Sequence, residues 1–192
     1  MDPTTIRFLT KEEVAALFKV AHRHSKRDHA LLRLAYHHGL RASEVGLLQK
    51  TDLDFTSYRI RVRRKKGSLD GVWHTLHPND ALALRAWLRE RADDENPYVF
   101  TSRNRKPISR QRLDELMKRY GDEARLPKEK RHFHVLKHSI AIALVNAGET
   151  LLSIKDRLGH KAIQNTMVYA EVTSPKRHAD ALRLFQNREI VW

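Results

Sequence analysis

Cysteine is absent from these 192 residues, so any covalent nucleophile must be an oxygen, a lysine or a histidine, and thiolate metal sites and disulfides are excluded. The residues with useful chemistry collect in four stretches: GLRASEV at 39–45, RRKKG at 63–67, HVLKHS at 134–139 and LGHKAIQNTMVYA at 158–170. Arginine forks and lysine ammonium groups suit phosphate-like anions, and a tyrosine phenol, with an ordinary pKa of about 10, attacks near neutral pH only if something takes its proton. Each stretch also has a plainer reading. RVRRKKG by itself is a solvated basic strand face or a patch gripping phosphates. Tyr169 by itself is a packed amphipathic side chain.

Twelve histidines invite a metal reading, and His134 with His138 at i and i+4 share one helical face as zinc ligands do. No third ligand stands at a recognisable spacing and HExxH is absent. At least one of the pair therefore reads as a core or interhelical hydrogen-bonding histidine, and His132 as structural. No metal is expected.

The elements that must position these residues follow from periodicity. Thr10 with Glu13 forms a capping box ahead of Val14, Leu17, Phe18 and Ala21, predicting a helix to about His24. Leu31, Leu32, Leu34 and Ala35 form a second apolar face that stops at Gly39, which places Arg41 on a corner, followed by a short helix over Ser43 to Leu48. Asp54 to Arg64 alternates like a strand, with Ile60 and Val62 on one face and Arg61 and Arg63 on the other. Its return strand is Val72 to Leu76, across a turn holding Gly67 and Gly71. A helix near Asn79 to Ala92 buries Leu82, Leu84, Trp87 and Leu88; Ser109 caps another through Leu113, Leu116, Met117 and Tyr120; His134 to Asn146 carries the next. Thr150 caps Leu151 to Leu158, Gly159 closes it, a short helix carries Tyr169, and Pro175 precedes a last amphipathic segment with Ala181, Leu182, Leu184 and Phe185. The expected fold is mainly α with a small antiparallel β-sheet, in one domain over residues 1–192.

Charge narrows the partners. Lysine and arginine number 37 against 23 acidic residues, a formal +14 with a pI near 10.3, which suits a polyanion. The amino end MDPTTIRFLTKEE lacks a signal peptide's apolar stretch, and no run approaches the roughly 20 apolar residues that span a bilayer. The chain reads as soluble and cytoplasmic, with no membrane partner.

Taken together and in order, the four stretches resemble the tyrosine recombinase or phage integrase family. Its pattern is an arginine in a G-L-R-x-S-E corner, a hairpin lysine, H-x-L-R-H, and L-G-H followed nine residues later by the tyrosine. The resemblance covers nearly the whole chain and is clearest to the short subgroup typified by the recombinases of the fimbrial phase switch, which begin almost at the catalytic domain and carry a K-K-G hairpin. It implies the DNA breaking-rejoining catalytic-domain fold, without the amino-terminal helical domain that completes a clamp around DNA.

The resemblance also assigns roles. Attack on a phosphodiester builds a five-coordinate transition state with charge on its nonbridging oxygens, which fixed cations must meet. Arg41 would contact the scissile phosphate, His160 would donate a hydrogen bond to it, and Lys137 would fill the second arginine's place. Tyr169 would be the nucleophile and His134 the base. The hairpin lysine would protonate the leaving 5′ oxygen; Lys66 fits that role best, with Lys65 beside it. The product would be a 3′-phosphotyrosyl enzyme, so no cofactor is implied. Arg63, Arg64, Lys65, Arg110 and Arg112 would contact DNA, the last two at base edges or at phosphates. Glu44 would orient the Arg41 corner through an ion pair or else be a solvated charge. Lys137 departs from the pattern, because lysine keeps the charge of arginine and loses its bidentate geometry. The implied partners are double-stranded DNA and further copies of the chain, dimer to tetramer on DNA. Residues 176–192 read as ordinary core or as a helix exchanged between protomers.

Overall fold

The computed structural model describes residues 6–64, 71–91 and 95–173. It divides into two compact units, Arg7–Ile140, and Ala141–Trp192 with Met1–Ile6. In the larger unit the Thr10 hydroxyl accepts from the Glu13 amide at 3.2 Å and the Glu13 carboxylate accepts from the Thr10 amide at 2.8 Å, which opens α1 (Lys11–His24) as its sequence predicts. Ser25 caps α2 (Lys26–His37) through the Asp28 amide. Gly39 then takes φ 56°, and the Leu40 amide returns to the Ala35 carbonyl at 3.0 Å, ending the helix at His37 with a left-handed turn two residues before Arg41. Arg41 stands at the N-cap position of the short α3 (Ala42–Leu47), its amide donating to the Glu44 carboxylate. The core packs Leu17, Leu31, Leu34, Leu84, Leu113 and Tyr120, none more than 1% exposed.

Three strands form the antiparallel sheet: β1 (Leu53–Asp54), β2 (Arg59–Val62) and β3 (Val72–Thr75), in that order. Ile60 lies opposite His74 on the buried face, and Arg61 lies opposite Trp73 on the outer one. The alternation expected unbroken from Asp54 is interrupted, because the Asp54 carboxylate accepts from the amides of Thr56 (3.0 Å) and Ser57 (2.8 Å) and folds 55–58 into a turn. The turn at 65–70 lies outside the described residues.

Helix α4 (Pro78–Arg91) corrects one expectation: Leu82 is 64% exposed. The buried stripe is instead Asp80, Ala81 and Leu84. Asp80 sets that rotation, since its carboxylate accepts from Arg33 and bonds the His37 ring, each at 2.7 Å. Ser109 caps α5 (Arg110–Glu123), and α6 spans Val135–Asn146. In the smaller unit Thr150 caps α7 (Leu151–Leu158), Gly159 stops it at φ 61°, and α8 covers Gln164–Val172. The expected segment at 176–192 lies outside the described residues. No described helix is long and apolar enough to cross a membrane.

Candidate active site

In the larger unit the cations gather on one buried carboxylate. Glu44, 4% exposed, accepts from the Arg41 amide (2.8 Å), the Arg41 guanidinium (2.8 Å) and the Arg64 guanidinium (2.7 Å). Burial pushes its carboxyl up, but Arg64, the Arg41 amide and Lys137 outweigh that and hold it below the usual carboxylate range. Of the two sequence readings of Glu44, the ion pair is the one formed. Arg64 also donates to the His38 carbonyl at 3.4 Å. Its side chain is only 4% exposed, so the sequence expectation of a DNA-facing arginine meets one turned inward, bracing the Arg41 corner.

Lys137 is 2% exposed and donates to the Gly39 carbonyl at 3.1 Å, so it lies against the same helix stop that sets Arg41. Burial first, then Arg41 and Arg64, lower its ammonium pKa to about 7, against a smaller opposing pull from Glu44. His134 and His138 meet edge to face at 4.5 Å. Both rings are driven down to about 4, by burial first; then Lys137, His132 and Arg41 act on His134, and His134, His132 and Lys137 on His138. Both imidazoles are neutral at physiological pH, as a proton acceptor at 134 requires. Among the described residues no three His, Asp or Glu side chains could hold a metal ion.

A groove of about 950 Å³ runs beside this cluster, lined by Arg41, Ser43, Arg110, Lys118, His132 and His134. Asp114 braces its wall by accepting from the Phe133 amide at 2.9 Å, beside His134. Arg110 stands 85% exposed on α5, and Arg112 is 44% exposed and paired with Glu115. Arg63, 41% exposed, shares the Asp52 carboxylate with Arg61. Lys65 and Lys66 lie outside the described residues.

In the smaller unit Gly159 does for His160 what Gly39 does for Arg41: the His160 amide returns to the Lys155 carbonyl at 3.0 Å and the ring emerges just past the helix end. His160 Nδ1 lies 2.9 Å from the Thr166 hydroxyl, and its ring stacks on that of Tyr169 with centroids 6.3 Å apart and planes 18° apart. Thr166 and Tyr169 are i and i+3 on α8 and are 0% and 3% exposed. The sequence reading missed Thr166, whose one signal is that helical spacing from Tyr169.

Residues 7–175 match the profile of the Phage integrase family. The chain is 37% identical over 167 residues to the type 1 fimbriae regulatory protein FimB of Escherichia coli (strain K12), covering 84% of this chain and 82% of that protein. Among solved structures, a XerA recombinase superposes with TM-score 0.76 at 24% identity, over 88% of this chain and 63% of that one. A XerH site-specific recombinase bound to its difH substrate before cleavage gives 0.72 at 22% identity, over 85% and 49%. At those identities the two structures establish a shared fold.

Proposed function

The chain belongs to the phage integrase family of tyrosine recombinases, and on that footing we propose that it is a site-specific recombinase that cleaves and rejoins DNA strands through a 3′-phosphotyrosine at Tyr169. The observation that carries the reading is the pairing, inside each unit, of the residues the reaction needs. Arg41 and Lys137 are gathered about Glu44 in one unit, and His160 is stacked against Tyr169 in the other.

In the proposed reaction the Tyr169 oxygen attacks phosphorus and its proton passes to His134. The P–O bond to the 5′ oxygen breaks, and Lys66, or Lys65 beside it, protonates the leaving oxygen. Arg41, Lys137 and the His160 N–H meet the charge on the nonbridging oxygens. Glu44 and Arg64 hold the Arg41 fork in place beforehand, so less ordering remains for the moment of reaction. A 5′ hydroxyl from another strand reverses the steps and rejoins the DNA. Because Tyr169 is 3% exposed, its phenol must leave its packing before it can attack. Confining attack to a rearranged α8 would keep cleavage coupled to assembly on DNA.

The proposed partner is duplex DNA: a XerH site-specific recombinase of this fold is bound to its difH substrate and a Tn1549 transposon integrase is in complex with transposon right end DNA, and the net +14 and the groove at Arg41 and Arg110 support it here. Arg63, Lys65, Arg110 and Arg112 are the proposed DNA contacts. Arg64 acts one step behind them through Glu44. Two to four copies acting on paired sites, with residues 176–192 exchanged between neighbours, complete the proposal. Incubating the protein with a nicked suicide duplex carrying its site tests it. A covalent protein–DNA band on a denaturing gel, absent for Tyr169→Phe, is expected, whereas salt-dependent binding without linkage would make the chain a DNA-binding regulator with this fold.

A further inference from the structure

His160 has one hydroxyl neighbour whose chemistry the proposed reaction has not yet used. Thr166 is wholly buried in the first turn of α8, with its oxygen 2.9 Å from Nδ1 of the imidazole. We propose that Thr166 is a positioning residue that fixes the tautomer of His160, keeping the hydrogen of the neutral ring on Nε2. The inference rests on the recombinase reading for its purpose, though not for its chemistry.

A neutral imidazole carries one hydrogen on either of its two nitrogens, and the hydrogen bond made by one nitrogen decides the state of the other. A ring that must donate to an anionic phosphate oxygen needs its hydrogen on the nitrogen that faces the phosphate. In the opposite tautomer it would turn a lone pair toward the anion and repel it. A carbonyl or carboxylate at Nδ1 can only accept, so it would draw the neutral ring's hydrogen to Nδ1 and leave Nε2 without one. A hydroxyl can reverse its role. Toward a neutral ring that carries its hydrogen on Nε2, the Thr166 O–H donates to Nδ1. When the ring gains a second proton, Nδ1–H donates to the Thr166 oxygen and the Nε2–H is unchanged. In both states the ring presents a donor at Nε2.

Two features of the site favour this role over simple packing. A threonine hydroxyl at 0% exposure has no bulk water competing for it, and branching at Cβ restricts its rotamers, so the oxygen stays where Nδ1 needs it. Tyr169 lies one helical turn on, its ring stacked at 6.3 Å on the same imidazole. Three residues at the spacing H-x5-T-x2-Y thereby become one unit, in which α8 carries both the nucleophile and the group that orients its neighbour.

The test uses the full chain labelled with ¹⁵N and reads the ring nitrogens of His160 by long-range proton–nitrogen correlation, on the alkaline side of the imidazole titration. Wild type and Thr166→Ser are expected in the Nε2–H form, while Thr166→Val, which keeps the shape and loses the hydroxyl, is expected to lose that preference. In the suicide-duplex assay Thr166→Val should cleave at least about tenfold more slowly than wild type, as loss of a ligand-orienting hydrogen bond usually costs. Its DNA affinity should be unchanged, and Thr166→Ser should recover most of the rate. A wild-type ring in the Nδ1–H form, or a Thr166→Val ring that keeps the Nε2–H form, overturns the proposal. The tautomer is read without DNA, so a wild-type chain that never links to DNA contradicts the recombinase reading alone. Cleavage by a chain with the other tautomer contradicts this inference alone.

Discussion

Lys137 is the residue at which this chain differs most from its family's pattern, and its surroundings give it a property no arginine would have. Between about pH 7 and its unfolded value the unfolded chain binds a proton that the folded chain does not, so its contribution to stability rises with pH across that window. DNA is expected to reverse the preference. A phosphate placed beside Arg41 and Lys137 adds the negative charge that Glu44 alone supplies too weakly, so binding should draw a proton onto Lys137. The expected outcome is affinity for duplex DNA that falls as pH rises through 7, by up to about 30-fold between pH 6 and 8.5 for a group with that starting value. Lys137→Arg should remove most of this dependence in fluorescence anisotropy, because a guanidinium stays charged throughout. Equal slopes for the two proteins would mean that Lys137 is already protonated before DNA arrives.

Helix ends, more than helices, decide where the reactive side chains sit. Gly39 and Gly159 each take a left-handed conformation and hand the chain to Arg41 and His160 within two residues. Gly159→Ala should cost about 1 kcal/mol of stability through the Cβ penalty at φ 61° and should also slow cleavage, because the strain falls at the residue before His160. Thr150→Ala, at the other end of the same helix, should cost a similar ~1 kcal/mol through loss of its cap and leave the cleavage rate near wild type. Thermal unfolding and the suicide-duplex assay separate the two, and equal rates for both variants would argue against the turn as the positioning device. These elements were legible because caps, glycine stops and apolar periodicity are local signals. Thr10, Ser109, Thr150 and both glycines could be read directly from residue type and spacing. Leu82 could not, because a tertiary ion pair at Asp80 rotates α4 away from its apolar pattern. For the same reason Arg64 was read as a DNA contact and Thr166 was missed: Glu44 and His160, which give them meaning, stand 20 and 6 residues away and meet them only once the corner and the α7–α8 turn are folded. The family pattern named candidates for the reacting residues, and Glu44 was open to reading as the partner of Arg41, whereas Thr166 was not open to reading as the partner of His160.

At the scale of the whole molecule the excess of positive charge is unevenly useful. Arg110 is solvent-facing beside the groove, whereas Arg64 is committed to Glu44. Arg110→Ala should therefore weaken binding to any duplex and lower the slope of log affinity against log salt by about 1, the expected effect of one lost phosphate contact. An unchanged slope would take Arg110 out of the interface or assign it to a base edge. The central claim is that Tyr169 is the nucleophile and that Arg41 and His160 serve its attack on phosphorus, and it is tested most directly by isolating the covalent complex, digesting it and sequencing the nucleotide-bearing peptide by mass spectrometry. The expected result is a single adduct on Tyr169 joined to the 3′ phosphate of the cleaved strand, lost when Arg41 or His160 is replaced by alanine. An adduct on any other residue, a 5′ linkage, or full yield from either alanine variant would contradict it.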